Sequence, residues 1–131
     1  MRELHGLLAG LQAAAAKLPA IAPSDDDDTN DSGASNDSER GTFDASNLPF
    51  DHYGLIFAPL DDSDVLRVVA MLANDLDDIY HDLQASALRF RMGEDRDALW
   101  NWHFSYYSHW GRHLSHAQTA IWQFLSEGNW E

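Results

Sequence analysis

The sequence predicts an all-α fold, an antiparallel helical bundle built on a long two-helix hairpin. Three observations predict it. Apolar residues recur at the helical period over three long stretches. Prolines and one glycine stand between those stretches, where helices stop. The one segment with strand character has no second segment to pair with. At 131 residues, 44% hydrophobic and with five Trp, the chain suits one domain with an ample core.

Residues 1–21 form the amino-terminal helix. Leu4, Leu7, Leu8, Leu11, Ala14, Ala15 and Leu18 share one of its faces, and Pro19 and Pro23 close it. Residues 22–47 form an acidic flexible linker. Asp25, Asp26, Asp27, Asp28, Asp31, Asp37, Glu39 and Asp44 stand against Arg40 alone, so the segment carries −7, half of the chain's −14. Such a composition buries too little apolar surface to offset the entropy of ordering it. A coil of that length reaches roughly 25–30 Å, so the first helix can dock on any face of a small domain. The Asp25–Asp28 run lacks the alternating ligands, glycine and closing Glu of a calcium loop.

Residues 48–131 hold the core. The aromatic segment 48–60, bracketed by Pro49 and Pro59, reads as a short helical turn. Ser63 is the expected N-cap of the next helix, with Asp61, Asp62 and Asp64 favouring a helix start. From there to Met92, Val65, Val68, Val69, Leu72, Leu76, Ile79, Tyr80, Leu83, Ala87 and Phe90 fall on one face. Gly93 ends that helix, and a central helix runs from Glu94 to about Ser126. Its polar stripe is Asn101, Ser105, Ser108, Arg112, Ser115, Thr119 and Gln123, which leaves two-thirds of the circumference apolar. Gly111 in mid-helix costs about 1 kcal/mol against Ala and allows a close contact or a bend.

Composition excludes several classes. A net charge of −14 with one Lys does not supply the clustered cations that nucleic acid or anionic membrane demands. The absence of Cys removes thiolate chemistry and disulfides and suits a cytoplasmic protein. No apolar run is long enough for a membrane span, and the alanine-rich start lacks the basic flank of a signal peptide. There is no P-loop, no dinucleotide fingerprint, no G-x-S-x-G and no H-E-x-x-H.

The segment Trp100–His113 concentrates six aromatic residues and three histidines. Trp100, Trp102, Phe104, Tyr106, Tyr107 and Trp110 read as core rather than a base-stacking platform, since only Arg112 adds a cation among them. Arg112 itself reads as a surface residue. His109 and His113, four apart, project from one face. The preceding helix carries Asp75, Asp78 and Asp82 at the edge of its apolar face. With the turn at Gly93, Asp75 comes level with His113, Asp78 with His109 or Trp110, and Asp82 with Tyr106. Two neutral imidazoles with one to three carboxylates suit Zn, Fe or Mn, so Asp75, Asp78, Asp82, His109 and His113 are candidate metal ligands. The alternatives are a hydrogen-bonded network in which each Asp orients a His, and acid–base catalysis without metal. The Asp75-x-x-Asp78 pair also resembles the carboxylates of all-helical nucleotide pyrophosphohydrolases, but histidines face it here instead of further acids. His103 and His116 read as partly exposed side chains outside the cluster.

The stretch N-D-L-D-D-I-Y-H-D-L (Asn74 to Leu83), then A-L-W-N-W-H-F-S-Y-Y-S-H-W-G-R-H (Ala98 to His113), resembles the bacterial family called domain of unknown function 5063. Asp75, Asp78, Ile79, Tyr80, Asp82, Trp100, Trp102, Phe104, His109, Trp110, Gly111, Arg112 and His113 match that family's pattern, and His103 replaces an Arg. The resemblance covers Leu55 to Phe124 and extends loosely to Leu7–Pro19. It implies a small helical bundle and a cytosolic bacterial protein, and it supplies no activity. Family members carry more helix before the L-P, so an apolar face is left here for a protein partner or a second copy. The favoured expectation is therefore a non-enzymatic interaction or scaffold module. The alternative is a metal-binding, hydrolytic bundle.

Overall fold

The structure, a computed structural model, describes residues 1–24, 43–63 and 65–130. Most of the described chain is helical, and a small two-stranded antiparallel sheet joins the helices. The sheet corrects the all-α expectation. Most of the acidic linker, residues 25–42, and Asp64 of the expected N-terminal cluster lie outside the described residues.

Helix α1 (Arg2–Ala15) buries Leu8 and Ala15, half-buries Leu4 and Leu11, and leaves Leu7 67% exposed. A short 3-10 turn (Ala45–Asn47) precedes strand β1 (His52–Ile56). Strand β2 (Arg67–Met71) pairs with it antiparallel, from His52 opposite Met71 to Ile56 opposite Arg67. Both strands overturn expectations. Residues 48–60 were expected to form a helical turn, and the partner of β1 is the start of the stretch assigned to the next helix. The physical reason is local. Val68 and Val69 are stiff at χ1 and favour extended backbone, and Arg67, Val68, Val69 and Ala70 alternate out and in. Ser63 caps no helix: its N–H and hydroxyl donate to Asp61 Oδ1 at 3.1 and 2.6 Å, a side-chain turn ahead of the strand.

Helix α2 (Leu72–Arg91) therefore begins nine residues after Ser63. Its cap comes from β1's side of the sheet. The Asp51 carbonyl accepts from Leu72 N–H at 2.8 Å, and the Asp51 carboxylate accepts from Ala73 N–H at 2.9 Å. The far end closes as expected. Gly93 sits at φ +82, its N–H reaches Phe90 O, and Glu94 N–H reaches Arg89 O, a Schellman stop that glycine adopts without a Cβ penalty.

Helix α3 (Asp95–Ser105) then leads through a π-helical turn (Tyr106–Trp110) into helix α4 (Gly111–Ser126). Helix α2 packs on α3 and α4, and α1 packs on α4. As numbers rise along α2, those of its partners fall: Asp75 meets His113, Asp82 meets His109, and Ser86 meets Asn101. The core lies among α1, α2 and α4, with Leu72, Leu76 and Ile79 against Trp110, Leu114, Ala117, Ile121 and Leu125.

The π turn was not foreseen, and it changes which residues face inward. One extra residue in a turn rotates the two flanking helices against each other by about 100°. The expected polar stripe accordingly breaks. Ser108, Arg112, Ser115, Thr119 and Gln123 are exposed, whereas Asn101 turns toward α2 and accepts from buried Ser86 at 2.7 Å. Ser105 accepts the Trp110 indole N–H at 3.0 Å. The aromatic core is also smaller than expected. Trp110 is 1% exposed, but Phe104 is 54% and Tyr107 72% exposed.

Gly111 makes the turn possible. Its N–H points at Tyr106 O, five residues back. A Cβ there would lie 2.3 Å from that carbonyl oxygen and 2.9 Å from the Tyr106 ring. Only glycine fits beneath the Tyr106–Trp110 edge-to-face pair, whose centroids are 4.8 Å apart.

Candidate metal centre

The π turn delivers His109 and the first turn of α4 delivers His113, both toward α2. Their rings are 4.9 Å apart at 71°. Each imidazole is held from behind by a carboxylate of α2. His113 Nδ1 lies 2.8 Å from Asp75 Oδ1, and His109 Nδ1 lies 2.7 Å from Asp82 Oδ2. A carboxylate only accepts, so each Nδ1 carries a proton and donates it. In the neutral ring the lone pair is then at Nε2, where a metal binds.

Asp78 stands between them on α2. Its Oδ2 is 3.5 Å from His113 Nε2. Two ligands at about 2.1 Å from one tetrahedral ion sit about 3.4 Å apart, so this spacing is already that of ligands sharing an ion. One ligand atom each from Asp78, His109 and His113 falls within 4.8 Å of the others, wider than the ~3.4 Å between ligands of one tetrahedral ion. The side chains of Asp78 and His109 are 34% and 42% exposed, which leaves an entry path.

The five residues singled out from sequence thus divide. Asp78, His109 and His113 converge. Asp75 and Asp82 orient the imidazoles from behind. Asp82 meets His109 rather than Tyr106, because side chains on both helices lean toward their own N-termini. Arg112 is exposed and lies 4.8 Å over the Phe57 ring, as a surface residue would. His103 packs edge-on against Tyr107, away from the cluster.

One member was missed. Tyr53, on β1, donates its hydroxyl in a short hydrogen bond to Asp75 Oδ2. Its segment was read as a helical turn, and nothing in its spacing points at Asp75. The phenol's pKa is pushed far above its usual range by burial and then by the Asp75 carboxylate it donates to, so it stays protonated. Asp75 is 4% exposed and both its oxygens accept. No buried side-chain polar atom among the described residues lacks a partner.

The hydrogen bond that His113 donates to Asp75 raises the His113 pKa against the opposing effect of burial, and the charges of Asp78 and Asp75 add to it while Arg112 works against it. Burial lowers that of nearby His116, offset in part by Asp75.

Fold and cluster together define a mostly helical protein with a small sheet and two carboxylate-backed imidazoles facing a third acid. The chain belongs to the family described as Domain of unknown function (DUF5063), whose model matches residues 1–127. No curated protein and no solved structure matches it. No helix among the described residues is long and apolar enough to cross a membrane.

Proposed function

We propose that this protein binds a divalent transition metal, Zn, Fe or Mn, through Asp78, His109 and His113, on a helical bundle built on the α2–α3/α4 hairpin. The observation that carries the reading is the paired orientation of the imidazoles. Both Nδ1 atoms are taken by carboxylates, which leaves the Nε2 side for an ion. Carboxylate–histidine–metal arrangements fix tautomer and ring direction in this way. A structural network alone needs no third acid 3.5 Å from the free nitrogen. A π turn at the ligand segment, a feature frequent at functional sites, supports the same reading.

Three protein ligands leave one or more positions for water or substrate, so the site is of the open kind that supports hydrolysis or, with iron, oxygen chemistry. The test is elemental analysis of purified protein, with melting curves before and after chelation. Stoichiometric metal and a lower midpoint after chelation are expected. Chelated protein whose midpoint ignores added Zn, Mn and Fe overturns the proposal.

A second reading, an interaction module, draws on exposed apolar side chains. Trp122 and Trp130 are 62% exposed each where α1 meets the end of α4, and Leu7 on α1 is 67% exposed. Sedimentation at high concentration tests its self-pairing form: a monomer at all concentrations counts against it.

A further inference from the structure

A second site lies on the other side of Tyr53, in the groove between β1 and α4. It is a cleft of about 900 Å³, of the size that holds small ligands and short peptides. The strand and the helix run along it in opposite directions. Phe50, just before β1, packs on Phe124 near the end of α4, with centroids 5.2 Å apart. Phe57, just after β1, lies under Arg112 at the start of α4.

The lining identifies which part of the strand is presented. Residues 52–56 all line the groove, although Tyr53 and Leu55 turn inward while His52, Gly54 and Ile56 turn outward. A strand shows both sets together along its edge, not from either face. Among the described residues β1 pairs only with β2, so among them its other edge has no strand partner for its N–H and C=O groups. The opposite wall, α4, is less demanding. The Ser115 and Thr119 hydroxyls donate to their own helix at 3.0 Å each, so they place no donor demand on an occupant.

The groove is also polar from end to end. Arg67, opposite Ile56, marks one end as positive. Glu127, beyond Phe124, marks the other as negative. No ion pair links Arg67 to a carboxylate among the described residues.

We propose that this groove binds an extended peptide by strand addition to the free edge of β1, with the peptide's C-terminal carboxylate at Arg67. A peptide so placed runs parallel to β1, its amino end toward Glu127. Five residues at ~3.3 Å each span ~17 Å, so a pentapeptide matches the strand. Main-chain hydrogen bonds supply affinity, and Phe50, Leu55 and Phe124 receive alternate side chains. The proposal is independent of the metal reading, and its test uses chelated protein.

Two randomised libraries of acetylated pentapeptides, one with free C-termini and one amidated, are panned on the full chain. The best binder is then titrated into labelled protein and followed by NMR. Enrichment from the free-carboxylate library is expected, with amide shifts centred on residues 52–56. N-methylation at alternate peptide residues, which leaves the protein untouched, is expected to abolish binding. Arg67→Gln, checked for an unchanged melt, is expected to weaken binding at least tenfold. Equal enrichment from both libraries, N-methyl peptides that bind as well, or shifts confined to other residues overturn the proposal. So does binding seen only after removal of residues 25–42, which would make that segment the occupant. A dimer that the peptide dissociates would assign the groove to a second copy.

Discussion

At the scale of single residues, the account rests on what stands behind each imidazole. Asp75 and Asp82 hold one nitrogen of His113 and His109, and Tyr53 holds Asp75. Such outer partners are worth about 10–100-fold in metal affinity. Tyr53→Phe removes only a hydroxyl, so metal affinity is expected to fall by that order while the far-ultraviolet spectrum stays unchanged, as measured by competitive chelator titration. The pH dependence has a definite sign. In metal-free protein the folded His113 pKa lies above its unfolded value, so its contribution is full below that unfolded value, about 6.5, and is lost as pH rises through the folded value. Urea unfolding of chelated protein is expected to show less stability at pH 8 than at pH 6, with the difference reduced in His113→Asn. Metal affinity is expected to run the other way across that window, because an ion would compete with the proton.

At the scale of elements, the decisive device is the π turn that Gly111 permits. A methyl group 2.3 Å from the Tyr106 carbonyl cannot be absorbed by a side-chain shift, since the clash is with backbone. Gly111→Ala is expected to cost about 3 kcal/mol in urea unfolding and to weaken metal binding, because relief of the clash moves the His109 turn. Asp51→Ala, which uncaps α2 from across the sheet, is expected to cost about 1 kcal/mol. These elements show where sequence reasoning succeeds. The stop at Gly93 was legible, because a left-handed C′ glycine with basic residues before it leaves a local signature. Helix α1 and the bulk of α2, α3 and α4 were legible from periodicity. The start of α2 was not: Asp61, Asp62 and Ser63 look like a cap, and the real cap, Asp51, lies 21 residues before Leu72. Strand pairing between residues 52–56 and 67–71 depends on a partner whose apolar spacing also fits a helix. Nor does any local rule announce a π turn, whose cost is met by tertiary packing around Trp110.

For the whole molecule, the candidate site was legible because a tight turn makes height along two helices a matter of counting. All five residues named from sequence lie in one cluster; the count held for Asp75 with His113, whereas Asp82 meets His109 rather than Tyr106 and Asp78 comes within 3.5 Å of His113. Tyr53 stayed hidden because the sheet that carries it was hidden. The Asp–His cluster, the sheet and the helices are consequently linked: Tyr53 ties β1 to Asp75, and Asp51 ties the same strand to the start of α2. A ligand that binds only the native state at a hundred times its Kd stabilises by about 2.7 kcal/mol. A rise of several degrees in Tm with saturating metal is therefore expected. The rise should be absent in the His109→Gln, His113→Gln double variant. The most direct measurement is an absorption titration of chelated protein with Co²⁺, whose d–d bands report coordination number and donor type. The account predicts saturation at one equivalent with the intense bands of a four- or five-coordinate nitrogen–oxygen site, lost in that double variant. A featureless octahedral spectrum, or the same bands in the variant, would contradict it.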